Sequence, residues 1–129
     1  DIFTDVYPGE TSWKIVNESG TTVASGGPYQ EGTDDQWGGG GPDALTTMSH
    51  TVNLPSATEC YSFVLEDSFG DGLQYGTPPS GSFGYTIADI QGSGSVLVDI
   101  TVAGPWDFGN STTRDAALRT DGSSPFNIY

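Results

Sequence analysis

The chain has 129 residues, enough for one core and short of two, so 1–129 reads as a single domain. Seventeen acids against three bases give a formal charge of −14. A nucleic-acid surface needs clustered bases that Lys14, Arg114 and Arg119 cannot supply, and anionic membrane surfaces are disfavoured on the same ground.

In chain order, Asp1 to Glu10 is polar and carries the turn signal Tyr7-Pro8-Gly9. Ser12 to Val16 reads as a strand with Trp13 and Ile15 on one face. Asn17-Glu18-Ser19-Gly20 turns the chain and residues 21 to 25 return it, which predicts a hairpin. Residues 26 to 44 form a long loop with Asp34-Asp35 and Trp37 ahead of four glycines; a loop of that length has a task or is mobile. Leu45 to Leu54 reads as a strand of imperfect alternation, stopped by Pro55. Phe83 to Ile87 alternates cleanly, Gly92-Ser93-Gly94 turns, and Ser95 to Val102 is the longest β-branched run. Gly104 to Thr113 is a loop bearing Trp106 and Phe108, and Arg114 to Arg119 is a short strand or a helical turn. The terminal Phe126, Ile128 and Tyr129 are apolar enough to dock, on this molecule or on a neighbour. Short apolar runs between turn signals, with 19 Gly and 8 Pro, predict an all-β antiparallel sandwich, jelly-roll-like, with long Gly-rich loops.

The most informative stretch runs from Cys60 to Leu73. Tyr61, Phe63 and Leu65 point one way and Ser62, Val64 and Glu66 the other, a half-buried strand. It then breaks into Asp67-Ser68-Phe69-Gly70-Asp71-Gly72, so a rigid strand delivers carboxylates onto a tight turn. Glycine permits positive φ there and brings backbone oxygens inward, and Ca²⁺ binds several such oxygens together. The candidate ligands are Asp67, Asp71 and Glu66, joined by Glu10 and Asp5 if the first ten residues approach the turn. The competing reading is a turn whose side chains bond only their own backbone, with Glu10 capping locally beside Thr11. The spacing is not that of an EF-hand loop.

One cysteine makes no intrachain disulfide, and its place at the head of a strand predicts a buried thiol at Cys60. No run approaches the ~20 apolar residues of a membrane span. The chain starts at Asp1 without Met, as after removal of a leader or at any internal boundary. Few lysines and abundant Gly, Ser and Thr suit a secreted or surface-exposed protein, and Asn17 and Asn110 head sequons at expected turns. Catalysis is not expected. Glu66 and Asp67 face opposite sides of a strand and cannot flank one bond, and His50 stands without a nucleophile motif or further zinc ligands.

Tyr7-Pro8-Gly9-Glu10-Thr11-Ser12-Trp13-Lys14-Ile15, Val23 to Tyr29, Cys60-Tyr61-Ser62-Phe63 running into Asp67 to Gly72, Gly81 to Tyr85 and Phe108 to Thr113 together resemble a recurring secreted module. That module occurs in large extracellular proteins of marine bacteria and algae, in peptidase accessory regions and in marine phage proteins. The resemblance implies a β-sandwich accessory or appendage module with an acidic metal-binding turn, and implies no agreed activity. Such modules are often richer in cysteine, so the resemblance implies that metal or assembly takes the place of a disulfide in this chain. Two roles follow as expectations. One is a calcium-stabilised structural or adhesive subunit of a homo-oligomer or larger surface assembly. The other is a calcium-assisted module binding polysaccharide through Trp37, Trp106, Tyr75 and Tyr29.

Overall fold

Apolar residues at every second position, interrupted by Gly, Pro and Asp, make strands the elements best able to bury one face. The computed structural model of the chain follows that pattern and describes residues 1–54, 60–77, 81–88 and 96–118. Among these residues the strands are β1 (Ile2–Phe3), β2 (Thr11–Val16), β3 (Thr22–Gly26), β4 (Thr47–Met48), β5 (Tyr61–Asp67), β6 (Phe83–Ala88), β7 (Val96–Val102) and β8 (Ser111–Leu118). A 3-10 turn, Pro8–Glu10, precedes β2. The strands form two four-stranded sheets ordered β4-β1-β6-β7 and β3-β2-β5-β8, with every pairing antiparallel. The fold is an all-β sandwich.

The core lies between the sheets. Tyr61, Phe63 and Leu65 of β5 turn inward with Trp13 and Ile15 of β2, and meet Ile2, Phe83 and Tyr85 from the facing sheet. The rings of Phe63 and Tyr85 close the gap with centroids 4.4 Å apart. Each such side chain contributes roughly 1.5–3 kcal/mol by leaving water. The hairpin of β2 and β3 forms as its turn residues predict, with Asn17 Oδ1 accepting the N–H of Ser19 and Thr21.

Other expectations need correction. The strand expected over Leu45 to Leu54 shrinks to Thr47–Met48, which pairs with Phe3 and Ile2. Leu45 takes a positive φ of 50° while its N–H donates to the Asp5 carbonyl, and Thr4 Oγ1 accepts the N–H of Thr46. Those residues are thereby spent on joining loops. The segment read as polar, Asp1 to Glu10, contains β1, and Ser111 to Thr113, read as loop, opens β8. Arg114 to Leu118 resolves as strand. Cys60 is half-buried, its N–H donating to Glu18 Oε1 at 2.9 Å. The turn at Gly92 to Gly94 and the tail with Phe126, Ile128 and Tyr129 lie outside the described residues.

Because all pairings are antiparallel, odd strands run one way and even strands the other within each sheet. The connections β1–β2, β3–β4, β5–β6 and β7–β8 meet at one end of the sandwich. Backbone bonds tie them together there: Val6 N to Tyr75 O at 3.1 Å, Gly40 N to Val6 O at 2.8 Å, Ser68 N to Glu10 O at 2.9 Å and Leu73 N to Trp106 O at 3.0 Å. The long loop after β3 is ordered by the same means, Gly32 and Asp34 donating to the carbonyls of Gly38 and Gly39.

Candidate functional site

Asp67 ends β5 on the same face as Tyr61, Phe63 and Leu65, so the strand carries a carboxylate inward to 2% exposure. A buried carboxylate requires donors, and the turn supplies them. Phe69 N reaches Oδ1 at 3.3 Å, while Gly70, Asp71 and Gly72 N reach Oδ2 at 3.1, 2.7 and 2.5 Å. Successive N–H groups converge on one oxygen because Gly70 and Gly72 adopt φ of 92° and 73°. At Gly72 a side chain would also run into the Trp106 carbonyl.

Glu10 arrives from the other side. It closes the 3-10 turn, and the register that pairs Thr11 with Asp67 sets it beside the acidic turn. One carboxylate oxygen each from Glu10, Asp67 and Asp71 then lies within 4.8 Å of the others. Burial, the charges of Asp67, Asp71 and Asp5, and a hydrogen bond to Asp67 push the Glu10 carboxyl up to about 7. Burial first, then a hydrogen bond and the charge of Asp67, push Asp71 up to about 6. Carboxylates this close repel one another, so Glu10 and Asp71 call for protons or a cation as compensation.

The donor set is all oxygen, as a hard divalent cation requires. Asp71 Oδ1 is buried and has no hydrogen-bond partner among the described residues, which is the state of an oxygen suited to ligation. Glu10 and Asp71 are half-buried, leaving solvent oxygens access to complete a shell. The residues present fit Ca²⁺: Glu10, Asp71 and Asp67 would hold it, and it would supply neutralising charge.

Of the five expected ligands, the other two lie elsewhere. Asp5, 1% exposed, accepts Tyr7 N on Oδ1 at 2.8 Å and Gln74 and Tyr75 N on Oδ2 at 3.2 and 3.5 Å. It braces two loops and adds charge beside the cluster. Burial raises its pKa against the pull of those three N–H groups. Glu66 alternates to the opposite face, 4.0 Å from Lys14 Nζ.

The four aromatic candidates divide in two. Trp106 packs on the core, edge-on to Phe108 at 4.8 Å. Tyr29 stacks on His50 at 5.7 Å with its hydroxyl 2.7 Å from Nε2, and His50 leans on Trp13 at 5.0 Å. Trp37 and Tyr75 remain 57% and 45% exposed. They are linked through residues that sequence reasoning passed over. Tyr75 meets Tyr7 edge-on at 5.5 Å, and Tyr7 Oη donates to Asp35 Oδ2 at 3.0 Å. Asp35 Oδ1 accepts the N–H of Trp37 at 2.9 Å and of Gly39 at 3.1 Å. The available signal was an Asp shortly before a glycine run, the pattern of a carboxylate that folds a turn around itself.

No protein-family model, curated protein or solved structure matches the chain.

Proposed function

We propose that this chain is a calcium-stabilised, non-catalytic structural or adhesive module, a subunit of an extracellular appendage, filament or virion surface. The observation that carries this reading is the meeting of Glu10, Asp67 and Asp71 within 4.8 Å across two connections of the sandwich. A cation there ties the β1–β2 connection to the β5–β6 connection, and so clamps the end of both sheets. The non-catalytic part is supported by how the reactive groups are occupied. His50 is taken up by Tyr29 and Trp13, and both oxygens of Asp5 by backbone N–H groups.

A ligand that binds only the folded state adds about 2.7 kcal/mol at a hundredfold excess over Kd. Calcium in excess is therefore expected to raise the melting temperature clearly over that in chelator, and Asp71→Ala to remove most of that gain. An unchanged melting curve in chelator sinks the cation. Size separation with and without chelator tests the assembly: defined oligomers are expected, and a strict monomer under both conditions removes that half of the reading.

A further inference from the structure

The connections at one end of the sandwich, residues 4–10, 27–46, 67–77 and 103–110, hold nine carboxylates and no Lys, Arg or His. Among the described residues the large apolar side chains left exposed are Trp37, Phe69 and Tyr75, and all three belong to these same segments. Singly exposed aromatics are ordinary, whereas their concentration on one end marks an interaction face.

Charge selects the occupant. A cationic side chain is attracted both by a ring face and by a carboxylate, and this end offers the two side by side. Asp35 is held below the usual carboxylate range by the N–H groups of Gly39 and Trp37 and the Tyr7 hydroxyl, so its charge is fixed next to exposed rings. Arginine fits better than lysine, because its planar guanidinium stacks on rings and forks to carboxylates. A second copy is a poor source of such groups: the chain has three bases against seventeen acids, and Lys14 stands 4.0 Å from Glu66. A neutral polysaccharide would use the rings and gain no attraction from the surrounding charge.

We propose that this end of the sandwich docks an arginine-rich segment of another protein, whose guanidinium groups lie over Trp37 and Tyr75 and bond to Asp35 and its neighbouring carboxylates. This names the partner chemistry of the assembly proposed above and rests on that reading, but it does not require the cation.

The test is a polarisation titration of the full chain with a fluorescein-labelled oligo-arginine peptide at physiological ionic strength, in chelator and in calcium. Replacing both rings, Trp37→Ala with Tyr75→Ala, weakens binding by roughly tenfold. Asp99→Asn, which removes an exposed carboxylate from β7, changes it by less than about twofold. Oligo-lysine binds more weakly than oligo-arginine. If the double variant melts early, Trp37→Ala alone gives the reading. Equal effects of the ring and Asp99 variants, or no effect of the ring variants, overturn the proposal in favour of polycation condensing on an acidic surface. A neutral polysaccharide that binds through the same rings while the peptide does not overturns it too. Calcium-dependent melting is read separately, so failure of the docking face and failure of the cation site are distinguishable.

Discussion

Asp67 and Asp71 sit four residues apart on one turn and have different tasks. Asp67 gathers four backbone N–H groups, so Asp67→Ala leaves donors unpaired and costs about 3 kcal/mol or more even in chelator. Asp71 instead carries a buried oxygen without a hydrogen-bond partner among the described residues, so Asp71→Ala removes the calcium increment and costs little in chelator. Equal losses for the two variants in chelator would contradict this division. The cluster also predicts a pH dependence. In chelator, Glu10 and Asp71 are raised to about 7 and about 6, so they bind protons more tightly folded than unfolded. Their contribution to stability is therefore complete below about pH 4 and is lost as pH climbs through 6 and 7. His50, lowered by burial, acts oppositely in part of this window, so the comparison is made against Glu10→Gln. The melting temperature of the variant is expected to gain on the parent between about pH 5 and pH 7.5 in chelator. A constant gap over that range removes the strained cluster from the account.

At the scale of elements, the acidic turn holds two loops in register through one glycine. Gly72 has a φ of 73° and faces the Trp106 carbonyl, whereas Gly20, at 85° in the β2–β3 hairpin, has open space around its Cα. Both lose about 1–2 kcal/mol on replacement by Ala for the left-handed conformation alone. Gly72→Ala adds the steric conflict, so its loss in a denaturant titration is expected to exceed that of Gly20→Ala by about 2 kcal/mol or more. Equal losses would mean that the pairing of Leu73 with Trp106 does not constrain the turn. The same contrast explains what could be read in advance. β2, β5 and β6 carry an alternation long enough to show a period, and their inward faces follow from it. β1 and β4 have two residues each, too few for any period, and exist because Thr4 and Thr46 hold each other in place. In the site, the turn was legible because Asp and Gly mark it locally. That Asp5 serves backbone N–H groups was not, since its donors Gln74 and Tyr75 lie some seventy residues on. Nor could sequence separate Tyr29 and Trp106, which cover the core, from Trp37 and Tyr75, which do not. That depends on which loop lies over the sandwich's open end.

Across the whole molecule the net charge of −14 is unevenly placed, with nine of the seventeen acids on the loops of one end. Like charges crowded together oppose compactness, and two remedies exist with different signatures. Simple salt screens all of them at once, the Debye length falling from about 30 Å at 0.01 M to about 10 Å at 0.1 M. A bound cation neutralises one place and bridges two connections. In chelator, sodium chloride is therefore expected to raise the melting temperature gradually, while calcium at millimolar concentration raises it further at the same ionic strength. With calcium bound, the residual increment from salt shrinks, because the closest set of like charges is already compensated. Magnesium separates site from screening once more: it demands tighter octahedral geometry and gives up its water reluctantly, so at equal concentration it should stabilise less than calcium. Three melting series at matched ionic strength, in sodium, magnesium and calcium chloride, decide the matter. If sodium chloride reproduces the whole calcium effect, the carboxylates around the acidic turn only repel as any crowded acids do, and the cation has no site there.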